Sequence, residues 1–274
     1  MSDFLKLFSL KDKTVIITGG TGVLGQSMVK GLSAAGASVA ILGRRKEMGE
    51  ALAKEVRNLG GKAIAVKANV LQLQELIMAR ETILKEFGAI HILVNAAGGN
   101  MPGATIAPDK NFFDLNLDDF QKVVDLNLLG TVLPTQVFAE DMAKRKKGVI
   151  INIASMASFR PITRVVGYSA AKAAVANFTE WLAVEMARKF GEGIRVNAIS
   201  PGFFLTEQNR TLLTQPDGSY TARGQAAINQ TPFARFGQPE ELVGTLIWLC
   251  SDASAFVTGA NVPVDGGFNV FCGV

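Results

Sequence analysis

Seven short runs rich in Val and Ile, at 13–18, 38–42, 62–66, 91–95, 148–154, 194–200 and 261–265, alternate with longer stretches at 23–35, 46–58, 72–87, 118–144, 168–190 and 239–250. In the longer stretches the apolar residues recur near the helical period. This alternation is the strongest constraint the chain carries. Strands apolar on both faces need cover on both sides, and helices between successive strands make those strands parallel. The fold class is therefore α/β, doubly wound, with about seven mostly parallel strands, helices on both faces and right-handed crossovers. No repeat, low-complexity tract or linker breaks the rhythm, so a single domain is expected over 1–274. Its one irregular insertion is at about 203–232, where Pro216-Asp217-Gly218-Ser219 makes a turn inside a polar, broken helical pattern. A loop of this length reads as a lid or binding loop.

Composition narrows the function classes. A formal charge of +4 with scattered cations gives no stripe for nucleic acid. The one basic run, Lys144-Arg145-Lys146-Lys147, reads as the solvated end of a helix with Gly148 as its stop. Cys250 and Cys272 form no CxxC pair and His91 is the sole histidine, so neither a disulfide framework nor a metal site is expected, and a reducing, cytoplasmic setting fits. Asp3, Lys6, Lys11 and Asp12 break the apolar pattern at the N-terminus, and no stretch approaches the ~18 apolar residues of a membrane span.

The segment TGGTGVLG, residues 18–25, follows the first strand and opens the first helix. Gly20-Thr21-Gly22-Val23-Leu24-Gly25 fits G-x-G-x-x-G in the context the dinucleotide fingerprint requires, and so points to a Rossmann fold. Glycine permits the tight turn and the close approach of a pyrophosphate, and the helix N-terminus supplies amide donors and a positive dipole. Where an acid would hold the ribose 2′-hydroxyl of NAD, the second strand ends in Gly43-Arg44-Arg45. Two guanidiniums there suit a 2′-phosphate, which favours NADP and leaves NAD open.

Tyr168 and Lys172 stand four apart at the start of a helical stretch and so share one face. An ammonium within roughly 4 to 5 Å of a phenol, at an effective dielectric of ~20, is worth about 3 to 4 kcal/mol, which would lower the phenol's pKa by two to three units towards operating pH. Ser155 closes the fifth strand, at the end of the sheet where such folds bind ligands, and is placed to donate to a developing alkoxide.

Taken together, the glycine-rich turn, NAAG at 95–98, Asn127 in DLNLLG, Ser155 thirteen before Tyr168, YSAAK, SPG at 200–202 with Thr206, and TGANVPVDGG resemble the short-chain dehydrogenase/reductase family over essentially the whole chain. The resemblance implies that Tyr168 is the general acid in reduction and base in oxidation, while Lys172 tunes it and holds the nicotinamide ribose. It also implies that Ser155 steadies the reacting oxygen and that Asn127 holds a water in a proton relay to Lys172. Gly19, Thr21, Gly22, Val23, Leu24 and Gly25 would meet the cofactor phosphates, and Arg44 and Arg45 the adenosine ribose. Asn69 and Val70 would meet the adenine, Asn95, Ala96 and Gly98 would line the cofactor, and Pro201, Gly202 and Thr206 would meet the nicotinamide end. Two departures stand out. The family pattern T-G-x-x-x-G-x-G places glycine where this chain has Val23, with its own glycine at 22, and Asn69-Val70 replaces the common Asp-Val.

The segments that would face a small-molecule substrate are 156–167 and 203–232. They offer Met156 and two cations, Arg160 and Arg164, and a guanidinium directed inward would grip a carboxylate in bidentate fashion. The loops and the GGFNVFCGV tail resemble the family members that act on keto sugar acids, implying D-fructuronate and D-mannonate as the substrate pair. Alternatives are gluconate or another polyol, an oxoacyl thioester, which the polar loops disfavour, and a non-catalytic NADP sensor, which intact Ser155, Tyr168 and Lys172 disfavour. The alanines at 170, 171, 173, 174 and 176 suit close helix packing, and the family implies a homotetramer.

Overall fold

The computed structural model describes residues 4–206 and 209–273; Asp3, residues 207 and 208 of the insertion, and Val274 of the tail lie outside them. Seven strands form one parallel sheet: β1 (Thr14–Thr18), β2 (Ser38–Gly43), β3 (Lys62–Lys67), β4 (Ile92–Asn95), β5 (Gly148–Ile153), β6 (Ile194–Pro201) and β7 (Asn261–Val264), in the spatial order β3-β2-β1-β4-β5-β6-β7. Every pairing is parallel, with Ile16 opposite both Ala40 and Leu93 in the central register.

Because successive strand residues point to opposite faces, each strand feeds two cores. Val15, Ile17, Val39, Ile41, Ile92, Val94 and Ile151 pack on one face with α1 (Val23–Ala34), α2 (Lys46–Asn58) and α9 (Val243–Cys250). Ile16, Ala40, Leu42, Leu93 and Ile150 pack on the other with α3 (Leu73–Phe87), α5 (Gly130–Arg145) and α6 (Val166–Phe190). Doubly covered strands are why the sequence runs are continuously apolar rather than alternating. The chain winds outward from β1 to β2 and β3, then returns to β4, so a crevice opens at the carboxyl ends of β1 and β4.

The structure departs from the sequence reading in local detail. The expected helix over 118–144 is two helices, α4 (Leu117–Val124) and α5, joined by a π-helical turn at Asp125–Leu129 that carries the buried Asn127. The basic run does end a helix, with Lys144 and Arg145 paired to Glu140 and Asp141. Its stop is Lys146, at φ +53, and not Gly148. Gly148 begins β5, where a Cβ would collide with Met142. The lone His91 accepts the Thr14 amide hydrogen on Nδ1 at 3.0 Å and so serves strand β1. The insertion forms two short helices, α7 (Arg210–Leu213) and α8 (Ala222–Asn229), over a small core of Leu213, Ala227, Ile228 and Phe236. Among the described residues no helix is long and apolar enough to cross a membrane.

Phe138 of α5 is fully buried against the sheet. Phe138→Ala should lower unfolding stability by about 3–5 kcal/mol, because the cavity it leaves adds to the lost transfer energy. The effect should appear in urea titration as a lower midpoint at unchanged slope.

Candidate active site

The carboxyl ends of β1, β4, β5 and β6 gather the residues singled out in the sequence. At β1, Gly19 takes φ +68 and a Cβ there would lie 2.7 Å from the Ala96 carbonyl oxygen. A Cβ on Gly25 would lie 2.8 Å from the Gly20 Cα. Gly22 is less demanding, since its Cβ would stand 3.4 Å from the Gly19 carbonyl oxygen. The close packing therefore belongs to Gly19 and Gly25, which is why Val23 is accommodated as the first residue of α1. Leu24 packs towards the core. Gly22 caps α1 with no side chain over the first amides, leaving a bare helix N-terminus that fits a pyrophosphate.

Around this turn, Thr18 accepts the Ala96 and Ala97 amides at 3.1 Å each and so joins the first loop to the fourth. Arg45 donates to the Thr21 carbonyl and hydroxyl oxygens at 3.1 and 3.2 Å, while Arg44 is exposed beside it. Asn69 turns its side chain onto the Leu71 amide at 3.1 Å and donates its own amide to Glu75 at 2.8 Å, and Val70 is buried in the core. Gly202 donates to the Val264 carbonyl at 2.9 Å against Asp265, next to Pro201 at the end of β6. The Thr206 amide donates to Asn209 Oδ1 at 2.7 Å.

At β4 a polar side chain turns away from the cleft. The Asn95 side chain does not line the cleft: it is buried, donating from Nδ2 to Thr135 Oγ1 and Asn152 Oδ1, both at 2.9 Å. Asn152 in turn donates to Thr179 at 2.9 Å, so the group ties α5, β4, β5 and α6 together behind the site. The last residue of a strand points its side chain by the alternation of the pleat, and here that alternation turns it inward.

Asn127, Gly98 and Lys172 meet. Asn127 donates from Nδ2 to the Gly99 and Val123 carbonyls at 2.7 and 2.8 Å and accepts the Gly99 amide at 3.2 Å. A Cβ on Gly98 would lie 2.7 Å from Asn127 Oδ1 and 3.3 Å from Lys172 Nζ, so only glycine leaves both polar atoms facing one space. Lys172 Nζ donates to the Ile153 carbonyl at 2.7 Å and lies 5.7 Å from the centre of the Tyr168 ring. The Ser155 hydroxyl acts on the Tyr168 phenol, pulling its pKa down, and its oxygen accepts the Ala157 amide at 3.2 Å. Ile153 and Gly99 belong to this frame although no sequence signal marks them, because they act through backbone.

The electrostatics differ from the sequence reading. The Tyr168 phenol is raised above its ordinary value, mainly by burial and partly offset by Ser155. The Lys172 ammonium lies 5.7 Å from the centre of the ring and is hydrogen-bonded to the Ile153 carbonyl, and burial is the larger influence on the phenol. Burial also lowers Lys172 itself, from 10.5 to about 8.

On the substrate side, Met156 is buried in the turn after Ser155. Arg160 is exposed and donates to the Phe271 carbonyl of the tail at 3.0 Å. Arg164 is half-buried, with φ +73, and donates from Nε to the Ile106 carbonyl at 2.8 Å. A cavity of about 350 Å³ lined by Pro102, Thr105, Ile106, Lys110 and Asn116 opens beside it. That loop escaped the sequence reading, since its Gly and Pro residues signal only irregular chain.

The family model described as short chain dehydrogenase matches residues 13–217. The uncharacterized oxidoreductase UxuB of Bacillus subtilis is 46% identical over 97% of this chain and 98% of its own length. A structure from Haemophilus influenza with bound NAD, provisionally named a D-mannonate oxidoreductase, is 44% identical with TM-score 0.91, covering 97% of this chain and 98% of that one. A gluconate 5-dehydrogenase from Burkholderia cenocepacia, in complex with NADP and tartrate, is 33% identical with TM-score 0.85, covering 97% and 99%.

The lowered Lys172 gives a stability prediction. Below pH 8 the ammonium is kept in a site that disfavours it. From about 8 to 10.5 the folded chain has released this proton while the unfolded chain still binds it, so the penalty fades as pH rises. The shift corresponds to about 3 kcal/mol, against about 1.5–3 kcal/mol for the lost hydrogen bond to the Ile153 carbonyl. Lys172→Met should therefore be at least as stable as wild type at pH 7 by urea unfolding, with its relative standing falling between pH 8 and 10.5.

Proposed function

The chain belongs to the short-chain dehydrogenase family and is an oxidoreductase, and we propose that it interconverts a keto sugar acid and its hydroxy acid, D-fructuronate and D-mannonate, with NADP. The observation that carries the reading is the convergence of Ser155, Tyr168, Lys172 and Asn127 beside a glycine turn shaped for a dinucleotide. When bound, the nicotinamide cofactor gives or takes the hydride. The protein's own residues manage the oxygen and its proton. Tyr168, kept protonated by burial, is set to donate to the carbonyl oxygen in reduction and, once ionised, to accept the alcohol proton in oxidation. Ser155 favours the ionised phenol and is placed to donate to the developing alkoxide. Lys172 and Asn127, facing one space over Gly98, are the path along which the phenol's proton is replaced.

NADP is supported by Arg44 and Arg45 at the end of β2, where no acid stands to repel a 2′-phosphate. The sugar-acid reading is supported by polar loops and by a half-buried Arg164 four residues before the phenol. A homotetramer in the cytoplasm completes the proposal. Its support is α6, which turns Ala171 and Ala176 inward and leaves Trp181 and Val184 exposed, 60% and 58%, on the opposite side.

Nicotinamide absorbance with purified protein, across keto sugar acids, neutral ketoses, gluconates and oxoacyl thioesters, tests the assignment. The highest kcat/KM is expected with D-fructuronate, and with NADPH above NADH. Faster turnover of an uncharged ketose or a thioester contradicts it.

A further inference from the structure

Arg164 and Arg223 come from segments far apart in sequence and stand close together. Arg223, in the first turn of α8, is half-buried and donates to the Thr163 carbonyl at 3.4 Å, immediately before Arg164. Burial lowers its pKa and the Arg164 charge lowers it further. Neither guanidinium forms an ion pair with any described residue. Nη1 and Nη2 of Arg164 likewise have no partner among the described residues, its one bond running from Nε to Ile106.

The backbone fixes one member of this like-charged pair, and the other stands where a cation is disfavoured. Arg164 adopts a left-handed backbone, which a non-glycine residue keeps only where its surroundings fix it. Those surroundings are the paired bonds with Ile106, whose amide donates to the Arg164 carbonyl at 2.9 Å while the guanidinium donates back. Arg223 stands in the first turn of a helix, where the dipole disfavours a cation. Two cations held together with water partly removed, and with no described acid paired to either, are stabilised by an anion.

We propose that Arg164 and Arg223 form the subsite that receives the substrate's carboxylate, one guanidinium from the turn before the catalytic tyrosine and the other from the insertion after β6. This rests on the sugar-acid reading above and names the residues that enforce it. The carboxylate sits away from the reacting carbon, at the end of the substrate remote from Ser155. The insertion thus carries acid specificity, while Arg160, tied to the tail, takes no part.

Arg223→Gln is the test, because Arg164 also holds the 106 loop. The assay compares D-fructuronate with its methyl ester, the same skeleton without the charge, using NADPH. The variant should raise KM for the acid about 10–100-fold, the loss of a charge-assisted contact, and leave kcat/KM for the ester within about twofold. Arg223→Lys should fall between, and cofactor affinity and melting temperature should match wild type. If wild type prefers the acid and Arg223→Gln keeps that preference in full, the subsite is overturned while the sugar-acid reading stands. If wild type does not distinguish acid from ester, both fall.

Discussion

The ammonium of Lys172, out of water and held at 2.7 Å on the Ile153 carbonyl, is the interaction through which the fold reaches the chemistry. A buried cation on a single carbonyl is poorly compensated, and burial accordingly lowers its pKa to about 8. The chain keeps it there because the carboxyl end of β5, the first turns of α6 and the glycines after β4 close on one point. Remove the parallel order of β4, β5 and β6 and neither Ile153 nor Gly98 would lie beside it. The phenol of Tyr168 belongs to the same enclosure and is held protonated by it.

Behind this point lies a buried polar seam. Asn95, Thr135, Asn152 and Thr179 link two helices through two strands, each hydrogen bond near 2.9 Å. Such a seam fixes the relative height of β4, β5 and α6, and so the position of Ser155 and Tyr168 above it. In front of it the loops differ in kind. The 100–107 segment, the turn at 160–165 and α8 are stitched together by polar bonds among Ile106, Arg164, Arg223 and Thr163.

The sheet was legible in the sequence because double burial writes itself as unbroken Val and Ile runs, and each of the seven expected runs is a strand. The glycine turn and the Tyr168–Lys172 spacing were legible for a similar reason, since local geometry alone forces them. What was not legible depends on contacts across the fold. The π-helical turn at 125–129 accompanies the bonds of Asn127 to Gly99, 28 residues away. Asn95 turns inward because of the pleat and of partners on α5 and β5. The height of the Lys172 ammonium over the tyrosine ring follows from a strand carbonyl, which no side-chain spacing records.

Replacing the one phenol is the most direct trial of the account. Tyr168→Phe should keep its fold and its affinity for NADPH, read by thermal melting and cofactor fluorescence, while kcat for keto-acid reduction falls about 10²–10⁴-fold, the share a positioned general acid supplies. Turnover within a fewfold of wild type in a folded, cofactor-binding variant would mean that the proton comes from elsewhere and that this cluster is not the catalytic centre.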